Sequence, residues 1–378
     1  MNYINNNRNN KLKKLSKNVP TPFLLIDELV LVDNIKRINS YAETHGISVR
    51  YHFKTHKSLK IAKMQIKSGA KGISVAKVHE AKAIVPIGLK DITISNPIAD
   101  SLIANEVAKL STEQFIRVAV DSEYSLRQLH KAASTYDTTI GILIIFDAGI
   151  HRCGISEKDK IIHLAESIEL YDTLQFQGIQ MYLGHLYGES ALHDNCAYQE
   201  IQNIWVPVYN SLCNKGITPL IVSSGSSTCL GNIHRISYIT EIIVGTALFN
   251  EYFLVIYGHC SLDNCAAKVI STVISNAING QVIIDAGSKA LSAKQLFINN
   301  KSIMGYILEY PQAKIMRLNE EHGWLNVQQC RLAPKLGERI SIIPINISLC
   351  VNLYEYFYII NHKGEILKEK VVSRGYDL

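Results

Sequence analysis

The chain has 378 residues, roughly two and a half times an average domain, so it holds either several domains or one barrel with an addition. Hydrophobic residues make up 47% and charged residues 19%, a balance that excludes a disordered chain and a coiled coil. The formal charge of +6 is concentrated in Arg8, Lys11, Lys13, Lys14 and Lys17, which argues against a basic surface that tracks nucleic acid, and no apolar run reaches the ~18 residues of a membrane span.

Residues 1–18 read as a mobile basic tail, without the apolar stretch of a secretory signal. Eight scattered cysteines are too sparse for a disulfide scaffold, and a cytoplasmic protein is expected. From Thr21 onward, β-rich runs alternate with amphipathic segments. "FLLI" (23–26) leads into a helix that Asp27 caps and Gly46 ends. Further strand candidates are "VRYHF" (49–53), "GISVA" (72–76), "DITISN" (91–96), "FIRVAVD" (115–121), "TIGILIIFDAG" (139–149), "QGIQMYLGH" (177–185), "LIVSSGS" (220–226) and "EIIVGT" (241–246). Apolar strands spaced by helices predict a parallel sheet covered on both faces. The count is one more than a (β/α)8 TIM-type barrel needs, and 23–26 is expected to lie outside it. A doubly wound open sheet is the alternative, but no Gly-rich dinucleotide fingerprint follows any strand. Beyond residue 255 strands follow one another with little helix, and "NHKGE" (361–365) reads as a hairpin turn. The expected organisation is therefore a barrel over 19–255 and a mostly β domain over 256–378.

The chemistry concentrates at strand ends. Lys54 follows "VRYHF", at the face where such barrels carry their active sites. Alone, such a lysine is more often a solvated loop residue; partly desolvated, it forms a Schiff base with an aldehyde. Arg152 in "FDAGIHRCGI", and Tyr182, His185 and Tyr187 in "YLGHLYGE", stand at or just past two other strands. "SSGSSTCL" (223–230) and "GTA" (245–247) follow the last two strands, where small residues make a nest for phosphate. A lysine for an aldehyde and a nest for a phosphate point to pyridoxal 5′-phosphate (PLP).

The segments "YHFKTHKS", "GISVAKVHEA", "DAGIHRCGI", "GIQMYLGH", "VSSGSST", "VIIDAGSKALS", "EEHG" (320–323) and "GERISIIPINISLCVNLYEYF" carry a resemblance. Together they resemble the PLP enzymes with an alanine-racemase-type barrel, within them the D-threonine aldolase and eukaryotic-type D-serine dehydratase group. The resemblance implies that Lys54 is the Schiff-base lysine and that Arg152 faces the pyridine nitrogen, leaving the ring a weaker electron sink. It implies that Tyr182 and His185 line the cofactor pocket. Ser224, Gly225, Ser226, Ser227 and Thr228, with Gly245 and Thr246, match the phosphate cup. It also implies a homodimer in which the β domain of one subunit closes the barrel mouth of the other.

One motif departs from the pattern. Metal-dependent members carry P-x-H-x-[C/D]-x-x-V-N, and Pro344, Val351 and Asn352 fix the register here. The ligand positions then hold Asn346 and Ser348, an amide and a hydroxyl that supply neither charge nor soft donor, so no divalent metal is expected. "HCSLDNC" (His259, Cys260, Cys265) reads as structural. The leading expectation is a lyase acting through an aldimine at the Cα of a D-β-hydroxy amino acid, with Lys54 and His185 catalytic. A metal-independent amino-acid racemase is the close alternative, since breaking only the Cα–H bond needs no ion. A non-catalytic PLP carrier comes third, and a barrel that has lost PLP altogether last.

Overall fold

The computed structural model describes residues 18–375. Residues 1–17 of the expected basic tail lie outside the described residues. Strand β1 (Phe23–Asp27) leads into the helix Glu28–Thr44. Asp27 caps it as expected, its Oδ1 accepting from the backbone of Leu29 at 3.1 Å and Val30 at 3.3 Å. Gly46, at φ +64°, turns the chain out of it.

Eight parallel strands follow: β2 (Ser48–His52), β3 (Gly72–Val75), β4 (Asp91–Ile94), β5 (Phe115–Val120), β6 (Ile140–Phe146), β7 (Leu174–Tyr182), β8 (Ile221–Gly225) and β9 (Glu241–Val244). They close into a barrel, with β9 pairing back onto β2. All seven residues of β6 are buried, because one face meets the bore and the other the helical layer. The helix Glu123–Thr135 shows the matching pattern: Ser122 caps it, and Leu126, Leu129, Ala132 and Ala133 are buried at helical spacing.

The floor of the bore is ionic rather than aliphatic. Arg50 donates through Nε to Glu241 Oε2 at 2.9 Å and through Nη1 to Asp91 Oδ1 at 2.8 Å. Arg117 reaches the same Asp91 oxygen at 2.5 Å, and Ser223 Oγ donates to Glu241 at 2.9 Å. Two cations and two anions offset each other's desolvation there, at the strand starts and away from the mouth. This barrel unit comprises residues 36–54 and 59–245.

The other unit comprises residues 18–35, 55–58 and 246–375. Its strands are β10 (Ala267–Ser275), β11 (Gln281–Ile284), β12 (Leu296–Ile298), β13 (Lys301–Ile303), β14 (Gly305–Ile307), β15 (Lys314–Leu318), β16 (Gly323–Asn326), β17 (Arg339–Pro344), β18 (Tyr356–Ile360) and β19 (Ile366–Lys370). The main path runs β15-β16-β11-β10-β1-β18-β19, with β17 bridging β10 and β14. β1 therefore lies outside the barrel, antiparallel to β10 and parallel to β18. β12 and β13 pair only with each other. The β18–β19 hairpin turns at Asn361, whose Oδ1 accepts from the backbone of Lys363 at 3.0 Å and Glu365 at 2.9 Å. In "HCSLDNC", Ser261 and Asn264 form a capping box around a short turn, and Cys265 is buried. No helix among the described residues is long and apolar enough to cross a membrane.

Candidate active site at the barrel mouth

Lys54 sits on the short turn Phe53–Thr55 that leaves β2, and its neighbours Phe53 and Thr55 are fully buried. The turn is thereby pinned while the lysine side chain stays open to solvent. The rim around it still displaces bulk water from the amine. Burial and then the charge of Arg152 hold the Lys54 pKa below the ordinary lysine value, against the opposing pull of Glu80. Glu80 is buried, and its Oε2 accepts from the backbone of Ala76 at 2.7 Å.

The Arg152 guanidinium lies over the ring of Tyr182, 4.8 Å from its centre. Tyr182 ends β7 with its ring folded back over Gly184, where a β-carbon would come within 2.3 Å of it. His185 follows on the turn, half-buried, its Nδ1 buried and without a hydrogen-bond partner among the described residues. Burial pushes its pKa below the ordinary imidazole value; Asp147 opposes that shift and His151 adds to it.

Asp147 and His151 belong to the rim loop after β6. The expected strand over 139–149 stops at Phe146, because Gly149 (φ +116°) and His151 (φ +53°) turn the chain. His151 Nδ1 donates to Asp147 Oδ2 at 3.0 Å, and the backbone of Gly149 and of His151 each donates to Oδ1 at 3.1 Å. Burial raises the Asp147 carboxyl, but those hydrogen bonds prevail and hold it below the usual carboxylate range. Neither this pair nor Glu80 stood out in the sequence.

At the end of β8, Gly225 has φ +155°, and a β-carbon there would lie 2.5 Å from the Ile243 carbonyl. Only glycine lets β8 finish against β9 at that point, and the chain turns at once into Ser226, Ser227 and Thr228. The Ser226 and Thr228 hydroxyls lie 2.7 Å apart, and Thr228 donates onward to the Leu186 carbonyl at 2.6 Å. Strand alternation separates the two serines before them. Ser223 points into the bore toward Glu241, so Ser224 points outward; its hydroxyl is buried there without a partner among the described residues. Gly245 follows β9 at the same end of the barrel, while Thr246 opens the other unit, its carbonyl accepting from Asn250 at 2.7 Å.

These residues fit PLP: an amine of lowered pKa, a cation on an aromatic ring, a half-buried imidazole, and a loop of small residues at a glycine-only strand end. The segment that matches the metal-ligand motif of the resembled enzymes does not fit an ion. Asn346 is the N-cap of the helix Ile347–Leu353, its side-chain oxygen accepting from the backbone of Leu349 at 3.0 Å. Ser348 Oγ lies 3.5 Å from Thr55 Oγ1, and the buried Cys350 thiol donates to the Ala290 carbonyl at 3.0 Å. Among the described residues no group of three His, Cys, Asp or Glu side chains is disposed to hold a metal.

Comparison with known proteins identifies the family. The family model for the alanine racemase N-terminal domain matches residues 26–252, and that for a serine dehydratase domain matches 266–360. The chain is 26% identical over 359 residues to 3-hydroxy-D-aspartate aldolase of Paracoccus denitrificans (strain Pd 1222), covering 90% of this chain and 88% of that one. It is 27% identical over 345 residues to D-threonine aldolase of Arthrobacter sp, covering 89% and 88%. Among solved structures, D-threonine aldolase from Filomicrobium marinum superposes with a TM-score of 0.86 at 25% identity, covering 95% of this chain and 97% of that one. The chain belongs to the alanine racemase N-terminal domain family, with a serine dehydratase-type β domain following the barrel.

Proposed function

We propose that this chain is a PLP-dependent lyase acting at the Cα of a D-β-hydroxy amino acid, and that it works without a divalent ion. The observation that carries the reading is the Lys54 amine at the barrel mouth, its pKa held down by burial and by Arg152. Relatives matched over nearly their whole length are named as aldolases of D-threonine and of 3-hydroxy-D-aspartate. When bound, PLP supplies an electron sink for the carbanion that forms at Cα.

The chain's own residues do the rest. Lys54 Nζ holds the cofactor and afterwards takes or returns a proton at one face of Cα. Arg152, held over Tyr182, would face the pyridine nitrogen with a cation that cannot readily give up a proton, making the ring a weaker electron sink. Backbone N–H groups and hydroxyls of Gly225, Ser226, Ser227 and Thr228, with Gly245, would hold the phosphate. His185, neutral because of its lowered pKa, is available to accept a proton. A homodimer in the cytoplasm completes the reading.

Racemisation is the second reading, and the capping role of Asn346 favours it, since the substrate hydroxyl then lacks an ionic activator. Purified protein with PLP, given D- and L-β-hydroxy amino acids, separates the two. A keto acid or aldehyde formed from the D-enantiomer supports the lyase. Interconversion of enantiomers without either product overturns it in favour of the racemase. Borohydride reduction followed by peptide mapping should place the fixed cofactor on Lys54, and label on another lysine would refute the site.

A further inference from the structure

The four residues after Lys54 are a loop in sequence but not in environment. Thr55, His56, Lys57 and Ser58 are all buried and group with the β unit, while Lys54 before them and Leu59 after them group with the barrel. Loops are ordinarily solvated, so this burial has to be held by something. Lys57 Nζ donates to Asn352 Oδ1 at 2.8 Å and to the Ser373 carbonyl at 2.9 Å. The Lys57 carbonyl accepts from the backbone of Val372 at 2.8 Å, and Ser58 Oγ donates to Glu369 at 2.7 Å. Asn352 Oδ1 also accepts from the backbone of Gly375 at 3.3 Å. Lys57 holds φ at +47°, a conformation that favours glycine, yet a long cationic side chain stands there.

We infer that Lys57 and Asn352 form a latch that fixes the turn bearing Lys54, so that Lys57 is a positioning residue for the cofactor-binding amine. The inference rests on the reading of Lys54 as that amine. The coupling runs along the chain: only Thr55 and His56 separate the latch from Lys54, and both are buried and neither is glycine. A charged hydrogen bond at one end of so short and stiff a segment restricts the lysine at the other. The latch also explains a feature of the 344–352 segment. Asn346 and Ser348 do not fit a metal, but Asn352 of the same motif is engaged, with Lys57 as its partner.

The test uses the full-length protein with four variants: Lys57→Met, Asn352→Leu, Asn352→Asp and Glu369→Gln. Two quantities are measured: the dissociation constant for PLP, and the pH midpoint of Lys54 modification by an amine-selective reagent in cofactor-free protein. Lys57→Met and Asn352→Leu should each weaken PLP binding about tenfold or more, the scale of one charged hydrogen bond. Each should also raise the Lys54 midpoint, because a loosened turn lets the ammonium move away from the Arg152 charge that holds it down. Asn352→Asp keeps an acceptor for Lys57 and should stay within about twofold of the parent chain, a difference well under one hydrogen bond. Glu369→Gln, which weakens the Ser58 contact and leaves both Lys57 and Asn352 in place, should leave the midpoint where it is. A general packing defect would not be rescued by Asn352→Asp. If Lys57→Met does not fold, Asn352→Leu decides, since it leaves Lys57 bonded to Ser373. A folded Asn352→Leu protein with unchanged affinity and midpoint overturns the latch. Borohydride labelling of the parent chain is the control: failure to label Lys54 would sink the cofactor reading, whereas a labelled Lys54 with indifferent variants sinks only the latch.

Discussion

Two side chains, Arg152 and Glu80, pull the Lys54 amine in opposite directions, and each pull can be removed separately. Arg152→Ala should raise the Lys54 pKa and Glu80→Gln should lower it, as read by the pH dependence of amine modification; equal shifts of one sign would show that neither charge acts on Lys54. His185 offers the complementary case. Its imidazole should titrate below the ~6.5 of a free histidine in an NMR titration. Asp147→Asn should push the midpoint lower still, and His151→Gln should raise it. Because the folded value is depressed, His185 contributes its full stability above about 6.5, and loses it as pH falls through the folded value. A midpoint above the free value would mean that charge, not burial, governs the site. Lys54, Arg152, Tyr182 and the Gly225 loop were legible in the sequence because each stands at the end of an apolar strand run. Glu80 and the Asp147–His151 pair were not. Their importance arises from where a helix start and a left-handed turn bring them after folding, and no periodicity encodes that.

The helix Ile347–Leu353 turns a departure in the motif into a physical statement. Its seven residues leave backbone N–H groups that Asn346 satisfies in part, so the amide oxygen that would face an ion is already engaged. Asn346→Ala should lower stability by about 1 kcal/mol in denaturant unfolding, the ordinary cost of a lost N-cap. Activity of the parent protein should survive exhaustive chelation. Asn346→His combined with Ser348→Asp should give measurable divalent-ion binding at the expense of the cap. Stoichiometric metal in the parent chain, or activity that vanishes on chelation and returns with the ion, would instead mean that the ligands lie elsewhere. At this scale the strands were read nearly in place, since buried parallel strands declare themselves as apolar runs. Their ends were not: β6 stops at Phe146, and β7 runs Leu174–Tyr182 rather than 177–185. The bulge opposite Ile142 and Leu143 shifts the β6–β7 register, at a glycine whose β-carbon would sit 1.8 Å from the Ile221 carbonyl. The helix at 347–353 was missed because seven residues give too few turns for a period to show.

At the scale of the whole molecule, the β unit gathers strands from both ends of the chain, and that linear order conceals. β1, near the start, pairs with β18, near the end, and the Lys57 loop joins them. The same unit presents apolar side chains to solvent. Phe297, Met316, Leu332 and Leu336 each expose more than half of their surface. Phe297 sits on β12, in a two-stranded ribbon that hydrogen-bonds to no larger sheet. Such a ribbon is marginal in water unless another surface covers it. A second copy of this chain is the expected cover, as the resemblance implies. Light scattering should therefore give the mass of two chains. Phe297→Glu combined with Leu332→Glu should shift the population toward one chain, because burying two unpaired carboxylates opposes association. If the partner completes the barrel mouth, activity per chain should fall on dilution in step with dissociation, and the double variant should lose activity at concentrations where the parent chain keeps it. Its far-ultraviolet circular dichroism should stay unchanged, since both positions lie outside the core of their own unit. A parent chain that runs as a monomer and is fully active at nanomolar concentration would show that the mouth needs no partner, and that the exposed ribbon serves some other contact.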